Sequence, residues 1–470
     1  MSKNVKSAEL EYDLVVVGAG PAGMAAAVRA SQNKLRTLLL DEQPEVGGQI
    51  YRNITSVDAR REEILGPDYS HGRTLATEVI AEAGKGSLTY WSNASAWQID
   101  PEKTLHVLRD GRSSMVKAKA IIVATGAMER PFPVPGWTLP GVMTAGAGQI
   151  LLKNAGLVPS TPVVLAGCGP LLYLIAAQYL RAGVAIKAIL DTTAGTDWKL
   201  ALRHARDLLT GWSYVRKGMG MLRAIKDAKV PFYRGVKGLR LEGEDALQRV
   251  RFSSGGREHT LDASVCLLHQ GVVPNTQISW SLRAEHKWDE VQLCWTPVID
   301  DWCQLSVPGI YTAGDGASIG GALVAALQGE LAALGVMRQL QVKPAADLDR
   351  DGATIRAEIE RHLAIRPYLN RQYRPSDEYR IPADETTVCR CEEVTAGSIR
   401  EQVKLGCSGP NQTKSFSRCG MGPCQGRMCG LTVTEVIAKE SGLTPQEVGY
   451  YRIRPPIKSV TLGQLAQIDE

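Results

Sequence analysis

The chain has 470 residues, 44% of them hydrophobic and 22% charged, with a formal net charge of +5; this is an ordinary globular composition, long enough for roughly two to four domains. The charge is small for the length and the basic residues read as interleaved with acids, which argues against a nucleic-acid partner. The opening MSKNVKSAELEYD lacks the apolar stretch of a secretory signal, and the longest apolar run, LLYLIAAQYL at 171–180, is too short to span a bilayer. A cytoplasmic protein is therefore expected, in which clustered thiols serve as metal ligands or redox groups more often than as disulfides.

YDLVVV at 12–17 has the pattern of a buried strand and runs into Gly18-Ala19-Gly20-Pro21-Ala22-Gly23, a small-residue helix and a second strand, TLLLD. In such a unit the first glycine permits the turn, the second lets backbone approach a pyrophosphate and the third lets helix pack on strand. The helix N-terminus supplies N–H groups to the phosphates. Asp41 stands where a carboxylate can accept from a ribose, with Glu42 as the alternative one position on.

A second unit of nearly the same length follows at 162–191, with Gly167, Gly169 and Asp191 in corresponding places. Its third glycine position holds Leu172, which should crowd a phosphate or push helix from strand. An adenine nucleotide (NAD or ATP/ADP) is the expected ligand, in a structural more than a nicotinamide-reducing role. Cys168 in this loop reads as a small turn residue, and His269 as a satisfied core or hinge residue. Segments AIIVATGA (120–127) and GIYTAGDGA (309–317) flank the second unit and would return the chain to the first sheet.

GAGPAG, GGQIYR, ATGA, GVVPNT and TAGDGA, in this order over about 12–345, resemble the two-dinucleotide-domain flavoproteins that include thioredoxin reductase and glutathione reductase. That resemblance implies FAD held by the first glycine unit, by Gly48 and Gln49, by Ala124, Thr125 and Gly126, and by Gly314 and Asp315. Asp315 would bond the ribityl or pyrophosphate region. GGQIYRN lacks the cysteine pair of the disulfide reductases, so disulfide reduction is not expected.

The boundaries expected from sequence are 1–155 with 271–345 for the FAD-binding domain, 156–270 for the second dinucleotide domain, a linker at 346–380, a cysteine-rich module at 381–450 and a docking tail at 451–470. The fold class is α/β: two Rossmann-like domains, the second inserted in the first, plus a small helical domain.

Six of the ten cysteines lie between 389 and 429. Cys389 and Cys391 form a C-x-C pair, and Cys419 and Cys424 flank the glycine turn CGMGPC; four thiolates with free backbone N–H groups suit a 2Fe-2S cluster. Structural zinc and a thiol switch are the alternatives. Cys407 and Cys429, the latter placed one turn into a helix, are expected to be buried thiols outside the metal site. Thr395 is expected to cap a helix ending at Gly406.

The pattern resembles the bacterioferritin-associated ferredoxin-like 2Fe-2S domain, although that domain more often closes with C-x-x-C. Joined to the flavoprotein half, it resembles the large (alpha or A) subunit of multi-subunit amine and imino-acid dehydrogenases: opine oxidases, D-hydroxyproline dehydrogenases and hydrogen cyanide synthases. The resemblance implies a D-amino-acid-oxidase-like FAD subunit that oxidises the substrate, a small gamma subunit, FMN at a subunit interface, and a quinone or dye as electron acceptor, with peripheral attachment to the inner membrane through it. No catalytic residue is assigned. A self-contained NAD(P)H-dependent reductase and a zinc-bearing regulatory or iron-handling adaptor are the rival readings.

Overall fold

In the computed structural model, which describes residues 10–193 and 198–467, Leu10–Val17 lies inside a seven-stranded sheet. The opening MSKNVKSAE, part of the stretch behind the signal-peptide expectation, lies outside the described residues. The strand order is Leu88–Trp91, Thr37–Leu40, Leu10–Val17, Arg112–Val123, Thr104–Arg109, Ala94–Ile99, and Ile310–Thr312 also pairs with Arg112–Val123. The central strands are parallel, and their unbroken Val/Leu/Ile runs follow from burial on both faces.

One face is covered by the helices Pro21–Gln32, Gly72–Gly84 and Ala322–Gln339. Pro21 opens the first of these, where its missing N–H costs nothing, and alanines keep its surface flat. Against it the third helix approaches backbone to backbone: a Cβ on Gly329 would lie 2.0 Å from the Ala22 carbonyl oxygen.

A second parallel sheet has the order Phe232–Arg234, Ile186–Asp191, Val163–Cys168, Cys266–Gln270, Val142–Thr144. Its chain interrupts the first sheet, so the insertion is as expected, but the boundary moves. Val142–Thr144 pairs with Cys266–Leu268, so this strand and the helix Ala145–Ala155 belong to the second domain, not to 1–155. The ribbon Ala127–Glu129 with Val272–Pro274 joins the two domains.

The stretch expected as a linker is folded. Ala345–Leu363 buries Leu348, Ile355 and Ile359 against the flavoprotein core, and Arg366–Gln372 follows it. The tail expected to dock elsewhere also packs on its own chain: Tyr451, Ile453 and Ile457 are buried, Ile457 N–H donates to the Trp97 carbonyl at 2.9 Å, and Lys458 pairs with Glu42 at 2.8 Å. In the cysteine-rich module Thr395 caps Ala396–Lys404, accepting from Ser398 N–H, and Gly406 has φ +104°, as expected. The module adds helices Pro410–Ser417 and Gly430–Ser441. Its Val433, Val436 and Ile437 share a core with Val15, Val17 and Ile121, on the sheet face away from Pro21–Gln32.

Because no space separates the two helix backbones at Gly329, Gly329→Ala should destabilise the chain by about 1–3 kcal/mol through overpacking. The check is a urea melt followed by circular dichroism, against Gly84→Ala, where an added Cβ meets nothing within 4 Å.

Candidate functional site

Register brings the first set of predicted residues to one edge. Val17, Leu40, Val123 and Thr312 lie side by side at the carboxyl ends of their strands, so Gly18–Gly23, Asp41, Ala124–Gly126 and Gly314–Asp315 emerge together, where ligands of open α/β sheets bind. Ala19 N–H donates to Asp41 Oδ2 at 2.6 Å and Gln43 N–H to Oδ1 at 2.8 Å. Glu42, the alternative, turns away to Ser95 and Lys458. Burial pushes the Asp41 carboxyl up, opposed by those two N–H donors.

The glycines divide by role. Added Cβ atoms on Gly18 and Gly23 would strike the Ala124 and Gly18 carbonyl oxygens at 2.5 and 1.7 Å, and one on Gly48 would reach Gly20 Cα at 2.7 Å. Those on Gly126 and Gly321 would meet nothing within 4 Å, and one on Gly20 only Gly48 Cα at 3.9 Å. The backbone at Gly20, Gly126 and Gly321 is therefore open to close approach by a ligand. Asp315 Oδ1 accepts from the N–H groups of Gly320 and Gly321 at 2.9 Å each, so it shapes the entry to the Ala322–Gln339 helix.

Sequence reasoning missed the cations here. Arg52 is buried near Asp41 with Nε unpartnered, and Arg366, from the supposed linker, lies near Asp315, also with Nε unpartnered. Lys153 is buried and donates to the Gln49 carbonyl at 3.1 Å and to Gln149 Oε1 at 3.0 Å. Burial, with Arg52 adding repulsion, pulls the Lys153 ammonium down to about 7. Only the Arg of GGQIYR was a signal available in sequence; the other two come from distant helices.

The second glycine loop is closed. Asp191 accepts from Tyr173 O–H at 2.8 Å and Thr193 N–H at 2.8 Å. Cys168 Sγ donates to Gln270 Oε1 at 3.2 Å and to the Tyr373 carbonyl at 3.5 Å, while the Tyr373 ring lies 6.1 Å from that of Tyr173. Gly167 must be glycine, since a Cβ would sit 1.7 Å from the His269 carbonyl oxygen, while Leu172 is fully buried in the core. His269 Nδ1 lies 2.7 Å from Glu129 Oε1, a satisfied buried pair. Burial raises the Cys168 and Cys266 thiols to about 12, which leaves neither a nucleophile.

Five cysteines converge in the C-terminal module. Cys389 ends the strand Thr387–Cys389, and the hairpin to Val394–Thr395 carries Cys391 on its exposed turn. The sulfurs of Cys389, Cys419 and Cys429 all lie within 4.8 Å of one another, and Cys391 Sγ is 3.9 Å from Cys424 Sγ. Two thiolates on one tetrahedral ion with bonds of about 2.3 Å sit roughly 3.8 Å apart. The contacts thus run between the loops instead of within C-x-C and C-x-x-x-x-C. Cys429, expected one turn inside a helix and apart from the metal site, caps Gly430–Ser441 and points into the group. Cys407 is buried outside it.

The loops fit closely. A Cβ on Gly422 would lie 2.2 Å from that of Cys391, and ones on Gly420 and Gly426 would each lie 2.6 Å from the buried Tyr451 ring. Gly420 N–H donates to Cys389 Sγ at 3.5 Å. The Cys419 and Cys429 thiols, with that N–H, hold Cys389 down to about 2, while bonding to Cys389 pushes Cys419 up to about 12 and Cys429 well above the ordinary thiol range. An all-sulfur donor set of this kind suits zinc or an iron–sulfur cluster.

The glycine edge and the cysteine turn are joined by hydrogen bonds through residues 275–277. Asn275 N–H donates to the Gly126 carbonyl at 3.0 Å, and Gln277 Nε2 donates to the Gln425 carbonyl at 2.9 Å, beside Cys424. A cavity of about 30 Å³ at this junction is lined by Met128, Asn275, Trp295, Arg427 and Tyr450 among others.

The pyridine nucleotide-disulphide oxidoreductase family matches residues 12–330, and the sarcosine oxidase A3 domain matches 384–468. The chain is 44% identical over 467 residues to the A-type subunit of opine oxidase from Agrobacterium tumefaciens (strain Ach5), covering 97% of this chain and 92% of that protein. It is 30% identical over 478 residues to the HcnB subunit of hydrogen cyanide synthase from Pseudomonas protegens, covering 97% and 98% respectively. Among solved structures, L-proline dehydrogenase from P. horikoshii superposes with a TM-score of 0.69 at 18% identity, over 97% of this chain and 80% of that one, a likeness of fold.

Two outcomes follow from the geometry. The Lys153 ammonium titrates near 7 when folded and at its ordinary 10.5 when unfolded, so the unfolded chain holds more protons between these values. Stability should rise with pH across that window, by up to about 1.4 kcal/mol per pH unit; Lys153→Met should flatten the slope in urea melts. With its second crevice covered by Tyr373, the purified chain should keep its flavin absorbance unbleached when excess NADH or NADPH is added anaerobically. The match over 12–330 and the full-length likeness to the opine oxidase protein lead to one assignment: the chain belongs to the pyridine nucleotide-disulphide oxidoreductase family and is the large subunit of a multi-subunit FAD-dependent dehydrogenase.

Proposed function

We propose that this subunit carries electrons between the oxidation of an opine, D-hydroxyproline, glycine or similar amine, performed in a D-amino-acid-oxidase-like FAD partner subunit, and a quinone or dye acceptor. The observation that carries the reading is the hydrogen-bonded contact between the helix Gln277–Ser281, which follows the Asn275 contact to Gly126, and the cysteine turn, Gln277 Nε2 to the Gln425 carbonyl at 2.9 Å. A half-buried, bonded contact of this kind would hold two redox centres at fixed separation. The relatives named as subunits of opine oxidase and hydrogen cyanide synthase support the division of labour. An FMN held between subunits belongs to the same proposal, as does a gamma subunit.

The thiols are proposed to hold a 2Fe-2S cluster. The supporting observation is that they form two foci, Cys391 with Cys424 and Cys389 with Cys419 and Cys429, where a single zinc ion needs four sulfurs around one point. The fourth ligand is assigned to Cys429 in preference to Cys419. Cys429 caps the N-terminus of the 12-residue helix Gly430–Ser441, where the helix dipole favours a thiolate. Cys419 follows the C-terminus of Pro410–Ser417, where the dipole opposes one. When bound, FAD accepts electrons in pairs and the cluster passes them singly. The residues' own part is to fix the cradle, exclude water around the buried sulfurs and keep the two sites in register.

Purification from the native host with metal and acid-labile sulfide analysis tests both parts. Iron, sulfide and a flavoprotein subunit that co-purifies are expected; zinc without sulfide, or a lone chain turning over without a partner, would sink the proposal. Serine at Cys389, Cys391, Cys424 or Cys429 should abolish the cluster's visible absorbance while leaving FAD bound, and Cys419→Ser should retain it.

A further inference from the structure

Between Ile186–Asp191 and Phe232–Arg234 the chain leaves the second sheet for three helices, Trp198–Arg203, Ala205–Thr210 and Trp212–Asp227. Residues 198–229 contain eight Lys or Arg against two Asp and no Glu, a formal +6 in a chain of +5, so all other residues together come to −1. The basic residues therefore do not alternate evenly with acids, contrary to the sequence-based expectation; the excess sits on one surface excursion.

The third helix is two-faced. Ile225 is buried and Met221 packs against the core, which fixes the inner side. Trp212, Arg216, Met219, Arg223 and Lys226, spaced four, three, four and three apart, share the outer side. Trp212 is 53% and Met219 48% exposed, and Leu209 on the preceding helix is 73% exposed. Lys217 and Arg223 pair with Asp68 and Asp227, but among the described residues Arg203, Arg206, Arg216 and Lys226 make no ion pair. An exposed indole and thioether amid unneutralised cations match an anionic bilayer surface, where apolar side chains enter the acyl boundary and cations meet headgroup phosphates. No helix of the described residues is long and apolar enough to cross a membrane.

We infer that the helices of residues 198–227 are a membrane-surface docking element that binds anionic phospholipid through Trp212, Met219 and the cations Arg216, Arg223 and Lys226. Docking there would bring the flavoprotein to the plane in which lipid-soluble acceptors diffuse. The inference stands apart from the relay proposal, because vesicle binding is scored without substrate or acceptor.

The test is co-sedimentation of the full-length, flavin-loaded chain with phosphatidylcholine vesicles that contain or lack phosphatidylglycerol. Binding is expected only with phosphatidylglycerol and should weaken as salt is raised. The triple variant Arg216→Glu, Arg223→Glu, Lys226→Glu should bind at least about tenfold more weakly, and Trp212→Ser should also lose affinity. The glutamine triple at the same positions, which spares the fold from charge reversal, should fall between. Arg249→Glu with Arg251→Glu and Arg257→Glu, an equal charge change on an exposed sheet, should lose clearly less. Equal binding to both vesicle types, no binding, or full binding by the charge-reversal and glutamine triples overturns the inference. So does loss of partner-subunit co-purification in those variants without vesicle binding by the parent, which would make the face a protein interface.

Discussion

A parallel β-sheet cannot leave either face in water, because strands without alternating polarity have no solvent side. The rest of this structure follows from how that demand is met around Leu10–Val17. Helices Pro21–Gln32 and Ala322–Gln339 cover one face. The other is covered in large part by the chain's own C-terminal module, whose Val433, Val436, Ile437 and Ile453 share a core with Val15, Val17 and Ile121. Each such side chain removed from water contributes about 1.5–3 kcal/mol. The cysteine-rich region is therefore part of the flavin domain's core, and not an appended bead.

This joint core explains the functional geometry. Cys389, Cys419 and Cys429 belong to it themselves, so the sulfurs are held by the same packing that holds the glycine edge. The tail supports the arrangement from beneath: Tyr451 fills the space under Gly420 and Gly426, and Lys458 occupies the Glu42 carboxylate, leaving Asp41 to face the glycine loop. A docking tail was the natural reading of an Arg- and Pro-rich terminus. Its buried isoleucines instead dock it to its own sheet.

The inserted domain keeps the architecture of a nucleotide-binding fold while its crevice is taken up from within. Tyr173 and Thr193 satisfy Asp191, and the chain after Arg366–Gln372 lays Tyr373 across Cys168. A segment with the composition of a linker thus closes one site and, through Arg366, adds charge near the other. The same domain carries the basic helical excursion, so its outer surface and its crevice have separate uses.

By itself the sequence determined what short-range chemistry controls. The two strand–glycine–helix units, the insertion of one in the other, the Thr395 cap and the place of Asp41 at a strand end all depend on patterns within a few tens of residues. The tertiary structure decided what depends on distant segments meeting. Val142–Thr144 joined the second sheet because Cys266–Leu268 offered it an open edge. Cys391 met Cys424 and Cys389 met Cys429 because a hairpin and a helix start were packed face to face, and spacing along the chain carries no record of that. Arg366 and Lys153 reached Asp315 and the Gln49 carbonyl for the same reason: their helices are positioned by burial of other residues, so nothing beside them in the sequence announces where their charges will lie.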